Sequence, residues 1–336
     1  MHPFEVAPPE ARELLPRRIR ELGLRLEGSP VERYVHQLYA ELLRKRLRRF
    51  RPACYLTDEW GCPSGEPVIG IPFYLADPKL ASLERAMNDL EDEREILVYL
   101  RHEAGHAFNY AYALYRTAEW RDLFGPFSRP YREEYRPVPF SRQYVRHIAG
   151  WYAQKHPDED FAETFAVWLT PRSNWRKRYK SWPVVRKLNY VERMARRLGD
   201  TEPAVGRGAF DVTVEQMDIT VEDFYRREAE ARKSAHGLAL AAELADIFPR
   251  RGRRRRGIRP AAELVALHRR ALTDTIVRWT GVARPLAATL VESLRRSCEE
   301  QDLQTETGRE AGDLVALSAC ATALAMNWLT RGTFIP

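Results

Sequence analysis

Two histidines four residues apart, with a glutamate between them, are the residues of this sequence best suited to chemistry. They belong to the pentapeptide His102-Glu103-Ala104-Gly105-His106. Residues four apart lie on the same face of a helix, so both imidazoles can bind one metal ion while the Glu103 carboxylate reaches a water on that metal. Zinc accepts such nitrogen ligands and keeps one position open in catalytic sites. The motif therefore predicts a zinc site that activates water.

The sequence around the pentapeptide predicts that it lies on a helix. Residues Glu93–Tyr115 carry apolar side chains at three- and four-residue spacing, as one buried helical face requires. Gly105 in the helix interior costs about 1 kcal/mol relative to alanine, which close approach of a neighbour or a substrate would explain. The alternative is an ordinary helix with packed or exposed histidines and a salt-bridging glutamate, because short motifs also occur by chance.

A catalytic zinc needs a third protein ligand, and the second predicted helix, His156–Leu169, offers carboxylates for it. Pro157 and the acidic residues after it suit the first turn of a helix. Glu159 and Glu163 share one face, so one can bind the metal while the other accepts a hydrogen bond from a ligating histidine. The alternative for these acidic residues is ordinary helix N-terminal charge. Spacing alone does not choose between the two glutamates.

The combination of the two segments, HEAGH and EDFAETF, resembles the bacterial zinc-binding metallopeptidases of the gluzincin type. A more distant similarity links it to the lethal-factor-type and titration-factor-type metallopeptidases. The similarity covers roughly the first 200 residues of the chain. It implies a zincin-like fold, a Zn²⁺ cofactor and hydrolysis of peptide bonds. Four further stretches carry the resemblance: Arg51–Trp60, Ile71–Leu75, Phe124–Tyr131 and Trp151–Gln154.

The resemblance also implies roles for individual residues. Glu159 matches the metal ligand of those relatives, and Glu163 matches the residue that holds a ligating histidine. Asp160 stands where they have an aromatic residue, so it is a competing carboxylate. Tyr152 matches a tyrosine that assists catalysis, although a packing role is equally compatible with its sequence. His147 is a weaker candidate for the same task and is expected to be structural.

The remaining sequence of this half predicts a small sheet and a long loop. Cys54–Trp60 and Pro67–Leu75 are rich in aromatic and β-branched residues, and the turn signal Gly61–Gly65 between them indicates a hairpin. By analogy with zinc peptidases, an edge strand there could pair with extended substrate. Phe124–Arg142 is predicted to be an ordered loop that borders the cleft. Glu10–Leu26 and Val31–Phe50 are predicted to be amphipathic helices.

The chain of 336 residues exceeds one typical core. A composition break at Gly199–Gly208 predicts two domains, a zincin-like zinc metallopeptidase domain at 1–200 and a helical accessory domain of unknown role at 201–336. The expected fold class is α+β, mostly helical with a small sheet in the first domain and all-α in the second. Four helices are predicted after the break: Val221–Phe248, Pro260–Gly281, Pro285–Gln301 and Glu310–Thr330.

Charge and cysteine content predict partners and compartment. The net charge is +7, and six arginines lie within Arg250–Arg256, a block that can bind nucleic acid, although such binding is not favoured. Leu314–Leu329 is too short and too polar for a membrane span, so a buried bundle helix and no membrane partner are expected. Four scattered cysteines and an N-terminus without a secretory signal fit the cytoplasm.

The hypothesis is a zinc-dependent metallopeptidase acting on a peptide or protein. His102, His106 and Glu159 bind zinc, Glu103 and Tyr152 are catalytic, and Glu163 orients a ligand. The alternative is a regulatory or nucleic-acid-associated protein with a non-catalytic zinc site. Cleavage specificity and oligomeric state do not follow from the sequence.

Overall fold

In the computed structural model the described residues are 8–88, 90–132, 135, 137–233, 241–248, 258–306 and 308–331. The chain forms two compact units, one of Met1–Ile148 with Tyr152–Arg226 and one of Ala149–Trp151 with Arg227–Pro336. The division therefore falls after Arg226 rather than at the composition break. Residues 201–226 belong to the first unit because five of their apolar side chains lie in its core: Val214, Met217, Val221, Phe224 and Tyr225.

The described α-helices that begin in the first unit are α1 (Pro9–Arg12), α2 (Glu32–Arg44), α3 (Pro78–Met87), α4 (Glu93–Ala111), α5 (Ala118–Phe124), α6 (Pro157–Leu169), α7 (Trp175–Arg178), α8 (Val185–Leu198) and α9 (Val221–Lys233). Short 3₁₀ helices form at Ile19–Glu21, Phe73–Ala76, Leu114–Arg116, Tyr152–Gln154 and Val214–Gln216. With the strands below, these elements confirm the predicted α+β class with mostly helical content.

Helix α4 carries the pentapeptide and has a strong start signal. Asp92 caps it in a reciprocal capping box with Glu95, which satisfies two backbone N–H groups that have no partner within the helix. The helix ends at Ala111, four residues before the predicted end, and Ala113 adopts a left-handed backbone conformation. Every residue from Leu100 to Ala111 is buried, so the chain holds both histidines inside the protein.

A buried ion pair on α4 fixes this helix to α2. Arg101 donates two hydrogen bonds of 2.7 Å to Glu41, through its Nε and Nη2 atoms. The two side chains are 9% and 1% exposed. Removing one partner of such a buried pair typically costs about 3–5 kcal/mol. The pair therefore holds α4 in place through Arg101, the residue that precedes His102.

Helices α4 and α6 approach each other closely where Gly105 meets Ala162. A Cβ atom built on Gly105 would lie 2.7 Å from Cα and 2.8 Å from the carbonyl oxygen of Ala162. These are backbone atoms, so a methyl group fits only if the helices separate. The neighbour that the glycine was predicted to accommodate is therefore α6.

We expect Gly105→Ala to lower the free energy of unfolding by about 1 kcal/mol, and by no more than about 2 kcal/mol. Overpacking costs roughly 1–3 kcal/mol, and the better helix propensity of alanine returns only about 1 kcal/mol. Chemical denaturation measures the change. The control is Gly312→Ala on the surface of another helix, where nothing lies within 4 Å of the added methyl group and no loss is expected. Equal stability of Gly105→Ala and wild type would show that the contact is not tight.

The sheet of the first unit differs from the predicted hairpin. Strands β1 (Ala53–Thr57) and β2 (Val68–Pro72) pair in parallel, with Ala53 opposite Val68 and Thr57 opposite Pro72. The connecting segment folds back, so Gly61 pairs with Gly70 in an antiparallel bridge through N–O distances of 3.3 and 2.7 Å. A turn signal does not distinguish this path from a hairpin. At Gly70 the outer edge of β2 is occupied by the chain itself.

The predicted N-terminal helix Glu10–Leu26 is wrong. Only α1 and a 3₁₀ turn form there, because the segment bonds to a distant part of the chain instead. Arg18 bridges to Thr220, and the Ile19 N–H donates to the Ile219 carbonyl at 3.0 Å. The second predicted helix forms as α2 but ends at Arg44.

The second unit contains α10 (Ala241–Ile247), α11 (Ala261–Leu267), α12 (Arg269–Thr280), α13 (Arg284–Glu300) and α14 (Glu310–Arg331). Its all-α prediction is wrong in one respect, since β3 (Ile258–Pro260) and β4 (Gln304–Glu306) form an antiparallel pair. Its core is lined by Leu264, Ile276, Leu290, Leu294 and Leu317. The arginine block Arg250–Arg256 lies outside the described residues.

Helix α14 packs with one face only. Among the described residues, Glu310–Thr330 is the one stretch long and apolar enough to cross a membrane by length and composition. A single stretch of this kind does not separate a membrane span from the helix of a soluble protein. Only 28% of this apolar stretch is buried, so the helix is more exposed than the predicted buried helix of a bundle. Leu317, Ala321 and Ala325 form the buried face, and Val315 is 71% exposed.

Candidate metal centre

The two histidines of α4 and Glu159 of α6 converge in the interior of the first unit. The Nε2 atom of His102 lies 2.9 Å from Oε2 of Glu159, and Nε2 of His106 lies 3.2 Å from the same oxygen. The two Nε2 atoms are 3.0 Å apart. All three side chains are buried. Two histidines and one glutamate of the predicted set are thus brought together, and they could hold a metal ion.

The other ring nitrogen of each histidine meets a carboxylate. Nδ1 of His102 lies 3.0 Å from Oε1 of Glu163, and Nδ1 of His106 lies 2.8 Å from Oδ2 of Asp158. In a neutral imidazole, Nδ1–H then donates to the carboxylate and Nε2 carries the lone pair. Carboxylates in this position fix the ring orientation and make a metal-ligating nitrogen more basic.

Hydrogen-bond accounting supports a cation at the centre. With both Nδ1 atoms donating, two Nε2 lone pairs and one carboxylate oxygen face each other at about the distance of a hydrogen bond, with no proton between them. Zinc–nitrogen bonds of 2.0–2.1 Å in a tetrahedral site separate two ligand atoms by about 3.3 Å. The observed separations of 2.9–3.2 Å are close to this value. The residues present therefore fit zinc.

The electrostatics of the cluster point the same way. Burial lowers the pKa of His102, but the hydrogen bonds with Glu159 and Glu163 outweigh burial and raise that pKa to about 9. The pKa of His106 is also raised, because Asp158 and Glu159 together exceed the effect of burial. Burial raises the pKa of Glu159, but the two histidines hold it well below its usual range. The site thus favours positive charge beside Glu159.

Glu163 is held in place by the backbone. Its Oε2 accepts a hydrogen bond of 2.9 Å from the N–H of Ile148, while its Oε1 meets His102. Glu163 is fully buried. Neither of these oxygens faces the point where the two Nε2 atoms meet, whereas Oε2 of Glu159 does.

Asp158 also contacts one of the two histidines, although ordinary helix N-terminal charge is enough to explain its place in the sequence. Besides His106, it accepts hydrogen bonds from Nδ2 of Asn109, at 2.7 Å, and from the hydroxyl of Tyr110. Asn109 and Tyr110 follow His106 by three and four residues, which places them beside it on α4. That spacing was the available signal, since both can donate to a carboxylate.

Asp160, the competing carboxylate, lies outside the cluster. It is buried and pairs with Nζ of Lys187 at 2.5 Å. Burial raises the pKa of Asp160 to about 7, although Lys187 opposes the shift. The sequence alone does not exclude Asp160 as a metal ligand, but in the structure its partner is Lys187 of α8.

Glu103 is buried beside the two histidines, with 6% of its surface exposed. Burial raises the pKa of Glu103, and the nearby His102 and His106 lower it. It is not among the three converging donors. The geometry therefore does not require the Glu103 carboxylate as a metal ligand.

Two tyrosines lie on the outer side of Glu159. The hydroxyl of Tyr152 is 3.4 Å from Oε1 of Glu159, and its ring centroid is 5.5 Å from that of His102. Tyr131, which the sequence reasoning did not single out, donates to the same oxygen at 2.6 Å. It comes from the loop that was predicted to border the cleft. His147, by contrast, donates from Nε2 to the Val98 carbonyl at 3.0 Å, as a structural histidine does.

Comparison with known proteins bears on the same region. Residues 65–180 match the sequence profile of a family described as "Putative zinc-binding metallo-peptidase". The match covers less than half of the chain but includes α4, the loop and α6. No curated protein and no solved structure shows significant similarity to the chain.

Proposed function

We propose that the protein is a zinc-dependent metallopeptidase that hydrolyses peptide bonds of a peptide or protein substrate. The observation that carries this proposal is the convergence of His102, His106 and Glu159, each with a buried donor atom at the same point. The match to a zinc-binding metallopeptidase family over the same residues supports it. Among the described residues, the cluster has three donors rather than four, as a catalytic zinc site with an open position requires.

When bound, zinc supplies Lewis-acid polarisation of a water molecule and of the scissile carbonyl. Glu103 accepts the proton of that water as it attacks, and then passes the proton to the leaving amine. The buried position of Glu103 beside both histidines suits this role. The Tyr152 hydroxyl donates a hydrogen bond to the carbonyl oxygen as that oxygen gains negative charge. Glu163 and Asp158 hold the two imidazole rings in the orientation that the ligands need.

Metal removal tests the proposal. We expect purified protein to contain about one zinc per chain by elemental analysis and to cleave members of a quenched-fluorescence peptide library. Dialysis against a chelator should remove both the zinc and the cleavage, because a bound metal lowers the pKa of its water far below the pKa of free water. Adding back zinc should restore both.

Two results would contradict this function. Cleavage that persists in the metal-free protein would assign the activity to other residues. Tightly bound zinc together with four protein ligands in its X-ray absorption spectrum would indicate a closed, structural site, which is the alternative of a regulatory protein.

A further inference from the structure

The two oxygens of Glu159 have different partners. Oε2 faces the two Nε2 atoms, at 2.9 and 3.2 Å, whereas Oε1 faces the two phenols. Tyr131 donates to Oε1 at 2.6 Å, and the Tyr152 hydroxyl is 3.4 Å away. Tyr131 therefore makes the strong hydrogen bond, and the contact of Tyr152 lies at the limit of one.

The position of Tyr131 is itself supported by neighbours. The Nζ atom of Lys155 lies 4.4 Å from the centroid of the Tyr131 ring and 5.5 Å from that of Tyr152. The ring of His156, the cap residue of α6, is 5.4 Å from the Tyr131 ring. These contacts hold a loop tyrosine, half of whose surface is exposed, over the end of the helix that carries Glu159.

The second oxygen of a ligating carboxylate matters because carboxylates bind metals through one or both oxygens. If Oε1 also reached the metal, it would raise the number of donors from four to five and crowd the position that a catalytic zinc keeps open for water. A hydrogen bond of 2.6 Å from a phenol opposes this rotation, since the bond is lost when Oε1 turns inward. The strong bond also means that Oε1 does not depend on Tyr152 for a donor.

We infer that Tyr131 is a positioning residue that keeps Glu159 bound through Oε2 alone and leaves the Tyr152 hydroxyl available to the substrate. The two hydroxyls are 3.4 Å apart, so Tyr152 can turn from Tyr131 and Glu159 toward a carbonyl oxygen without leaving Oε1 unsatisfied. This inference rests on the proposed function, because it assigns the open position to a water.

Cobalt substitution tests the inference without any substrate. The visible absorption of Co²⁺ is strong in four-coordinate sites and weaker in five-coordinate sites. The spectrum therefore reports the coordination geometry of the bound metal. Wild-type protein, Tyr131→Phe, Tyr152→Phe and Tyr144→Phe would be loaded with one equivalent of Co²⁺. Tyr144 is a matched control, a half-buried tyrosine that also lies between α5 and the 3₁₀ helix Tyr152–Gln154, with its ring 4.5 Å from Nζ of Lys187.

We expect Tyr131→Phe to reduce the visible absorptivity of the bound cobalt by roughly twofold, as Glu159 becomes bidentate. Tyr152→Phe and Tyr144→Phe should retain the wild-type spectrum. A Tyr131→Phe spectrum equal to that of wild type would overturn the inference and leave the proposed function standing. Failure of the wild-type protein to bind cobalt or zinc would overturn both. Circular dichroism of each variant separates a change at the metal from a loss of fold.

Discussion

Glu103→Gln should reduce the kcat/KM for peptide hydrolysis by about 10³-fold while the protein keeps its zinc. General acid–base catalysis contributes roughly 10²–10⁴-fold, and glutamine has a similar shape but cannot accept the proton of the water. Zinc is retained because His102, His106 and Glu159 supply the three converging donors without Glu103. The measurements are initial rates with a peptide from the library and zinc content by elemental analysis.

The control for this variant is Glu93→Gln on the same helix. The Glu93 side chain is 73% exposed and pairs with Arg33 at the surface, so its neutralisation should change neither rate nor zinc content. Glu103→Gln protein with more than a tenth of the wild-type rate would show that Glu103 is not the base. Loss of zinc in the same variant would make it a ligand instead.

Glu159→Ala should abolish stoichiometric zinc binding, whereas Glu163→Ala should weaken it by about 10–100-fold. The first change removes the central carboxylate oxygen, 2.9 Å from Nε2 of His102. The second leaves all three donors but frees the ring of His102, and loss of such a supporting partner typically costs that range of affinity. Competition with a chromophoric chelator measures both dissociation constants.

Asp160→Asn is the control that separates a local charge effect from ligation. Asp160 is adjacent to Glu159, but it pairs with Lys187. We therefore expect this variant to bind zinc as wild type does, with some loss of stability because Lys187 is left without its carboxylate. The reverse order, with zinc lost in Glu163→Ala and kept in Glu159→Ala, would exchange the two glutamates.

Much of the candidate site was predictable because it depends on the spacing of residues within single helices. His102 and His106 must share a face wherever Glu93–Ala111 is helical, and the capping residues and apolar periodicity of this segment are local features. The same holds for the acidic first turn of α6 after Pro157. Gly105 predicts a close approach to another part of the protein, although the sequence does not identify Ala162 as the partner.

Other parts were not predictable because they depend on which surfaces meet. Asp158 and Glu159 are adjacent acidic residues in one helical turn, yet one holds a ring nitrogen and the other faces the centre. Tyr131 belongs to a loop without periodicity, and only the folded chain brings its hydroxyl to Glu159. The parallel pairing of β1 and β2 follows from the path of the connecting segment, which a turn signal does not specify.

By itself, the sequence determined that two imidazoles and a glutamate lie together on one helix, and that a second helix supplies acidic side chains. Helical periodicity sets these relations within a few residues, independently of the rest of the fold. The tertiary structure alone decided which carboxylate faces the histidines, which supports a ring, and which pairs with Lys187. The first two choices depend on how α4 and α6 pack against each other, with Gly105 in close contact with Ala162. The third depends on where α8 lies beside α6.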